Sequence, residues 1–291
     1  MTTIGFVGLG AMGSRIAGRL LSAGHTVYGT NRTKSKAEPL IDRGLEWRAS
    51  PREVAEASDV IFSMVTDDAA LEAVTSGRDG IIAGLKDETV YIDMSTVSPR
   101  VSRRVAERVS GRGVQMLDAP VSGSIPQAES GTLAIFVGGD GAAFAEVEPL
   151  LRELGQAVTH VGANGRGLLL KLAVNISLAV QTLAFSEGLL LAERGGIDPR
   201  VAADAMSTSS IASPMLKARV PLLLDLPKEA WFDVTLMGKD IRLAREAARE
   251  LALTLPSATI ADEMLVRASE LGYAHRDLAA LHEVLAQTPA A

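Results

Sequence analysis

Lys171 and Asn175 stand four residues apart in "GRGLLLKLAVN", a run that is otherwise almost all leucine, alanine and valine. Positions four apart share one face of a helix, so the pair presents an ammonium and an amide at one place. Burying an ammonium without partners is costly, and that face is therefore expected to border a polar cleft. The alternative is a lysine that snorkels to water from a helix start. An ammonium held in a cleft can donate a hydrogen bond, and then a proton, to an oxygen on which negative charge develops. Burial lowers a lysine from its ordinary pKa of about 10.4, which makes it a readier donor.

Two other groups of residues are suited to anions. "IGFVGLGAMGSRIAGRLLSAGHTVYGTNRT" opens as a strand, turns through Gly8, Leu9, Gly10, Ala11, Met12 and Gly13, continues as a helix, and ends in a second strand. In that setting Gly8 permits the tight turn, Gly10 lets backbone approach a pyrophosphate, and Gly13 lets the helix pack on the strand. The helix start adds N–H groups and a positive dipole. Where an NAD site usually carries Asp or Glu, this chain has Asn31, Arg32 and Thr33, which can chelate a 2′-phosphate, so NADP is the expected cofactor. The loops "MVTDD" and "DMSTVSP" follow two further strands and are expected to line the same crevice, with Val65 under the adenine or ribose and Thr96 toward the nicotinamide. Either could equally be a plain turn residue. After the fifth strand, Ser122, Gly123 and Ser124 form a small polar loop whose N–H and hydroxyl groups suit a carboxylate.

These residues need a frame. From Thr3 to about Val161 short β-rich runs alternate with helical patterns, which predicts a parallel sheet with crossover helices. The strands are expected at 3–7, 26–30, 60–65, 89–93, 114–118, 132–137 and 157–161. Ser98-Pro99, Asp67-Asp68 and Asp140 read as helix starts, and Gly24, Gly111 and Gly155 as stops. Beyond Gly162 only helices are predicted, at 166–194, 199–207, 214–225, 235–253, 256–271 and 277–287, with Asp198-Pro199, Ser213-Pro214 and Asp277 opening three of them and Gly195-Gly196 closing the first. "GANGRG" reads as a hinge, giving domains 1–162 and 163–291. The long helix is apolar nearly all round and is expected to be covered on every side, by the other helices and by a second subunit.

Composition narrows the function. The net charge is −6, which gives no field for phosphate backbones, so nucleic acid is not an expected partner; Arg103, Arg104 and Arg108 read as a solvated helix face. The absence of cysteine excludes disulfides and thiolate chemistry, and the four histidines show no ligand spacing, with His25 and His160 reading as structural. The N-terminus lacks the marks of a signal peptide. The apolar stretch 167–192 is interrupted by Lys171, Asn175, Gln181 and Glu187, which favours a buried helix of a soluble, cytoplasmic protein over a membrane span.

The Gly8–Gly13 turn with "NRT", the run "DAPVSGS…GTL", the stretch from Gly162 through Lys171 to Asn175, and Lys239-Asp240 together resemble the β-hydroxyacid dehydrogenase family over the whole chain. That resemblance implies a Rossmann domain followed by an all-α domain, with the active site between them. It implies Lys171 as the catalytic lysine, Asn175 as its orienting partner, Ser122 and Gly123 as carboxylate ligands, Lys239 facing cofactor or substrate, and Phe232 in the pocket wall. Many members read "SGG" and "KxxNN" where this chain has Ser122-Gly123-Ser124 and Val174-Asn175. The "SGS" form with "NRT" is more similar to the NADPH-dependent glyoxylate and succinic semialdehyde reductases. The expected reaction is hydride transfer between NADPH and a small aldehyde acid, or oxidation of a 3-hydroxy acid, in a homodimer or homotetramer. An imine reductase is the nearest rival, although Lys171 argues for carbonyl reduction; a cofactor-binding scaffold without catalysis is a rival of another class.

Overall fold

The computed structural model describes residues 2–287. The first part alternates strands and helices: β1 (Thr3–Val7), α1 (Ala11–Ser22), β2 (Thr26–Thr30), α2 (Glu38–Ile41), β3 (Glu46–Trp47), α3 (Pro51–Ala57), β4 (Val60–Ser63), α4 (Asp68–Thr75), α5 (Ile81–Gly84), β5 (Val90–Asp93), α6 (Pro99–Ser110), β6 (Gln115–Asp118), β7 (Val121–Ser122), α7 (Ile125–Ser130), β8 (Leu133–Gly138), α8 (Gly141–Arg152) and β9 (Gly155–Gly162). They form one sheet in the order β3-β2-β1-β4-β5-β6-β8-β7, with β9 beside β8. Successive side chains point to opposite faces, so Ile4, Phe6, Phe62 and Ile92 join one buried cluster while Val7, Ile61 and Tyr91 join the other. Helices cover both faces, which is why these strands read as continuous apolar runs. The fold is a Rossmann domain followed by helices.

The sheet departs from the all-parallel expectation at one edge. β8 runs antiparallel to β6 and β7, because β7 and the short α7 bring the chain back without a full crossover. β3 and β7 have two residues each, too few to show any periodicity in sequence. Gly155 is not a helix stop: α8 ends at Arg152, and Gly155 opens β9, where an added Cβ would come within 3.0 Å of the Ile135 side chain. Asp67 and Asp140 do cap α4 and α8 with their carboxylates. Arg104 and Arg108 are half exposed but not merely solvated, since both grip Glu72 of α4 at 2.6 and 2.8 Å and hold its carboxyl below the usual range.

After Gly162 the chain is helical: α9 (Arg166–Arg194), α10 (Pro199–Thr208), α11 (Pro214–Leu224), α12 (Val234–Glu250), α13 (Pro256–Ala268) and α14 (Leu281–Ala286). α13 runs on into a π-turn over Ser269–Tyr273. Asp198 and Ser213 cap α10 and α11 with their side chains, and Asp277 opens the turn before α14. The chain divides into two compact units between Lys171 and Leu172, inside α9.

α9 is covered on one face, not all round. Leu168, Lys171, Asn175, Ala179, Thr182, Ser186 and Leu189 are buried, whereas Leu170, Ala173, Ser177, Gln181, Ala184, Glu187 and Leu191 are exposed. The exposed stripe mixes small residues (Ala173, Ser177, Ala184) and polar ones (Gln181, Glu187) with two leucines, so that hydropathy alone does not separate a covered face from an open one. The helix is long and apolar enough to cross a membrane by length and composition, but its second half packs into the core of the helical unit through Ala179, Leu183, Phe185 and Leu189.

Candidate active site

The turn after β1 is built as a cradle. Gly8 has φ +97°, a conformation that side chains rarely adopt, and a Cβ there would overlap the Met64 carbonyl oxygen. A Cβ at Gly13 would overlap the Gly8 carbonyl oxygen, so only glycine lets α1 start this close to the strand. At Gly10 a Cβ would meet nothing within 4 Å, which leaves its backbone open to an approaching group. Together with the first-turn N–H groups of α1, at Ala11, Met12 and Gly13, this shape and polarity fit a dinucleotide pyrophosphate.

Asn31, at the end of β2, reaches back into this turn. The Leu9 N–H donates to Asn31 Oδ1 at 3.1 Å, and Asn31 Nδ2 donates to the Thr33 carbonyl at 2.9 Å. Its amide thus braces both the glycine turn and the following loop. Arg32 and Thr33 are exposed beside it. Lys34 lies over the Trp47 ring, 5.6 Å from its centre.

Val65 and Thr96 occupy loops tied together from beneath. The Ser63 hydroxyl donates to Asp93 Oδ1 at 2.6 Å and shares a 2.7 Å bond with the Tyr91 hydroxyl. The Ser95 hydroxyl donates to the same Asp93 oxygen at 2.7 Å and accepts the Val65 N–H at 2.9 Å. Ser63, Tyr91 and Asp93 are fully buried, and burial pushes the Tyr91 phenol well above its usual range, so it stays protonated as a hydrogen-bonding group. Val65 lies beneath the glycine turn, its side chain 3.3 Å from where a Gly8 Cβ would stand. Thr96 is half buried one residue beyond Ser95.

Ser122 ends β7, Gly123 has φ +132°, and Ser124 opens α7 in a capping box in which its own N–H donates to Gln127 Oε1 at 2.8 Å. The Ser124 hydroxyl caps the Gln127 N–H in return, a structural task that the sequence reading did not assign to it.

Lys171 is 9% exposed and Asn175 is 1% exposed, so both side chains on this face of α9 are buried. Lys171 is the last residue of the first compact unit. Within the second, Asn175 Nδ2 donates to Asp240 Oδ2 at 2.6 Å, and Lys239 Nζ is 3.0 Å from Asp240 Oδ1. Asp240, itself buried, therefore links Asn175 to Lys239. Phe232 is half buried, and its N–H donates to Asp277 Oδ2 at 3.1 Å; Asp277 also accepts the Trp231 N–H at 2.8 Å and the Arg219 guanidinium at 2.6 Å.

Sequence reading gave Asp93 and Asp118 no role, took Asp240 only as part of the Lys239-Asp240 motif and Asp277 only as a helix opener, whereas all four organise these loops. The first two were visible as lone carboxylates at the ends of apolar runs, "VYID" and "QMLD". Asp118 accepts the Gly165 N–H at 2.7 Å and the Leu168 N–H at 3.0 Å, and burial still pushes its carboxyl up to about 6.

Residues 3–162 match the family described as the NAD binding domain of 6-phosphogluconate dehydrogenase, and residues 165–285 the one described as NAD-binding of NADP-dependent 3-hydroxyisobutyrate dehydrogenase. The chain is 38% identical to 2-hydroxy-3-oxopropionate reductase of Escherichia coli, over 97% of this chain and 96% of that protein. It is 34% identical to glyoxylate/succinic semialdehyde reductase 2 of Arabidopsis thaliana, over 97% of this chain and 79% of that one. Among solved structures, Mycobacterium tuberculosis 3-hydroxyisobutyrate dehydrogenase with L-serine is similar at a TM-score of 0.87 and 29% identity, covering 98% and 99% of the two chains. Psf3 in complex with NADP+ is similar at 0.89 and 25%, covering 97% and 99%. An imine reductase from Pseudomonas shares the fold more distantly, at 0.65 and 22%, covering 98% and 99%. The dinucleotide cradle, the paired buried lysine and asparagine, and these full-length likenesses agree: the chain belongs to the β-hydroxyacid dehydrogenase family, and it is an NAD(P)-dependent oxidoreductase acting on hydroxy acids or the corresponding carbonyl compounds.

Proposed function

We propose that this enzyme uses NADPH to reduce small aldehyde acids of the glyoxylate and succinic semialdehyde type, or runs the reverse oxidation of a 3-hydroxy acid such as 3-hydroxyisobutyrate. The observation that carries this reading is the burial of Lys171 and Asn175 on one face of α9, with Asn175 held by Asp240 at 2.6 Å. A buried ammonium suits a carbonyl oxygen that gains negative charge better than it suits an imine, which accepts hydride as the iminium cation. The substrates named for the two relatives, and NADP+ in the similar structure, point the same way.

Arg32, with Asn31 and Thr33, takes the 2′-phosphate, while Gly8–Gly13 receive the pyrophosphate and Val65, Thr96 and Lys239 line the ribose and nicotinamide positions. When bound, the cofactor supplies or accepts the hydride at the carbonyl carbon. Lys171 donates a hydrogen bond to the carbonyl oxygen and delivers a proton to it as the alcohol forms; in the oxidation it takes that proton back. Asn175 orients the ammonium or the substrate oxygen. Ser122, Gly123 and Ser124 hold the distal carboxylate, with Thr96, Phe232 and Lys239 around the substrate, so that binding energy is turned into alignment. Residues 1–162 form the NADP-binding domain and 163–291 the substrate and dimerisation domain. We assign the enzyme to the cytoplasm as a homodimer or homotetramer, with the exposed face of α9 as a subunit contact and neither nucleic acid nor membrane as partner.

The test is NADPH oxidation by the purified protein with glyoxylate, succinic semialdehyde, methylmalonate semialdehyde and a cyclic imine in parallel. Turnover is expected with the aldehyde acids, and Lys171→Ala is expected to lose about 100-fold or more of it while still binding NADPH. Turnover with the imine alone would overturn the reading.

A further inference from the structure

We propose that Asp118 is a positioning residue for the reaction: its carboxylate fixes the first turn of α9 on the ends of β6 and β8, and so sets the place of Lys171 one helical turn further on. The proposal rests on the proton-donor reading of Lys171.

A helix start leaves four backbone N–H groups without intrahelical acceptors. Here a carboxylate from a residue far away in sequence takes two N–H groups at this start. The Gly165 N–H donates to one Asp118 oxygen at 2.7 Å and the Leu168 N–H donates to the other at 3.0 Å, so the plane of the carboxylate and the helix start define each other. The surroundings leave little play. A Cβ at Gly138 would lie 2.6 Å from Asp118 Oδ1, and one at Gly167 would overlap the Phe136 carbonyl oxygen and lie 2.9 Å from Asp118 Oδ2. Asn164 Nδ2 donates to the Met116 carbonyl at 2.7 Å, and the Gly139 N–H donates to the Gly162 carbonyl at 2.7 Å. The stretch read from sequence as a hinge is thus pinned to the strand ends. Lys171 follows Leu168 by three residues, about 4.5 Å along a helix axis.

The choice of residue is informative. A neutral Ser or Asn can cap a helix, yet this position holds a fully buried aspartate whose ionised form is penalised by burial and by Asp93 on the neighbouring strand. Only a carboxylate offers two acceptor oxygens and no donor. Asp118→Asn keeps the shape but turns an N–H toward one of the two backbone donors, and the helix start must shift to relieve it.

The experiment is a double-mutant cycle of Asp118→Asn with Lys171→Ala, with NADPH titration and thermal unfolding of each protein. Asp118→Asn is expected to lower kcat about 10- to 100-fold, the scale of a misplacement near 1 Å, with KM and the NADPH Kd within about threefold. In the Lys171→Ala background it is expected to cost nothing further, because the group it positions is gone. If instead Asp118→Asn lowers the residual rate of Lys171→Ala by the same factor, Asp118 acts elsewhere and the proposal fails while the lysine reading stands. If Lys171→Ala keeps near-full activity, the lysine reading fails and takes the proposal with it. Should Asp118→Asn not fold, Gly167→Ala, which crowds the same helix start against Phe136 and Asp118 while keeping the carboxylate, takes its place in the cycle with the same expected results.

Discussion

Asn31 and Arg32 are neighbours with different tasks. The Asn31 amide is committed to the Leu9 N–H and the Thr33 carbonyl, so it shapes the glycine turn from inside the protein, whereas Arg32 is exposed just past the strand end. If the proposed NADPH reading holds, discrimination of the 2′-phosphate is expected to fall mainly on the guanidinium. Arg32→Ala is expected to raise the NADPH Kd about 10- to 100-fold, the worth of a lost charge-assisted pair, and to change the NADH Kd by less than about threefold. Fluorescence titration with both cofactors checks this, and equal losses would move the discrimination to other residues. At this scale the sequence was most legible where a residue contradicted its setting: glycines at a strand-to-helix turn, or an ammonium in an apolar helix. Asp240 was less legible, because an aspartate after a lysine on an amphipathic helix looks like a surface pair until its buried contact with Asn175 is seen.

The elements themselves followed from pattern and caps over most of the chain, since long strands and helices repeat their period often enough to be recognised. What escaped were pieces of two residues, β3 and β7, and the reversal of β8, which depends on how the short α7 redirects the chain. The second half of the chain hides its organising contact in the same way. Arg219 of α11 is 2% exposed and pairs with the fully buried Asp277, which also receives the Trp231, Phe232 and Ala279 N–H groups. One ion pair thus ties α11 to the loop that carries Phe232 and to the turn before α14. Truncating one partner of a buried pair strands the other's charge. Arg219→Ala is expected to lower unfolding stability by about 3–5 kcal/mol, measured by denaturant titration; a loss below about 1 kcal/mol would mean that the three backbone donors hold Asp277 alone.

For the molecule as a whole, the open face of α9 is the feature that one chain does not explain. Ala173, Ser177 and Ala184 keep parts of that stripe low beside the exposed Gln181 and Glu187, with Leu170 and Leu191 exposed at either end. A second copy laid on it would complete the burial that the apolar sequence of α9 predicts. Light scattering on the purified protein is expected to give at least twice the 30.5 kDa of one chain. Ala184→Arg, which places a charge in the middle of the stripe, is expected to shift it to the single-chain mass. An unchanged assembly would place the subunit contact elsewhere.

The division between Lys171 and Leu172 also bears on how such enzymes can diversify. With the start of α9 bolted to the strand ends, the lysine travels with the cofactor half and the asparagine, with its Asp240 and Lys239 partners, travels with the helical half. A recombination point between β9 and α9 would separate Lys171 from Asp118, which holds the start of its helix. A crossover one turn later, within the helix, would exchange the helical unit while leaving the lysine and its aspartate anchor in one inherited piece.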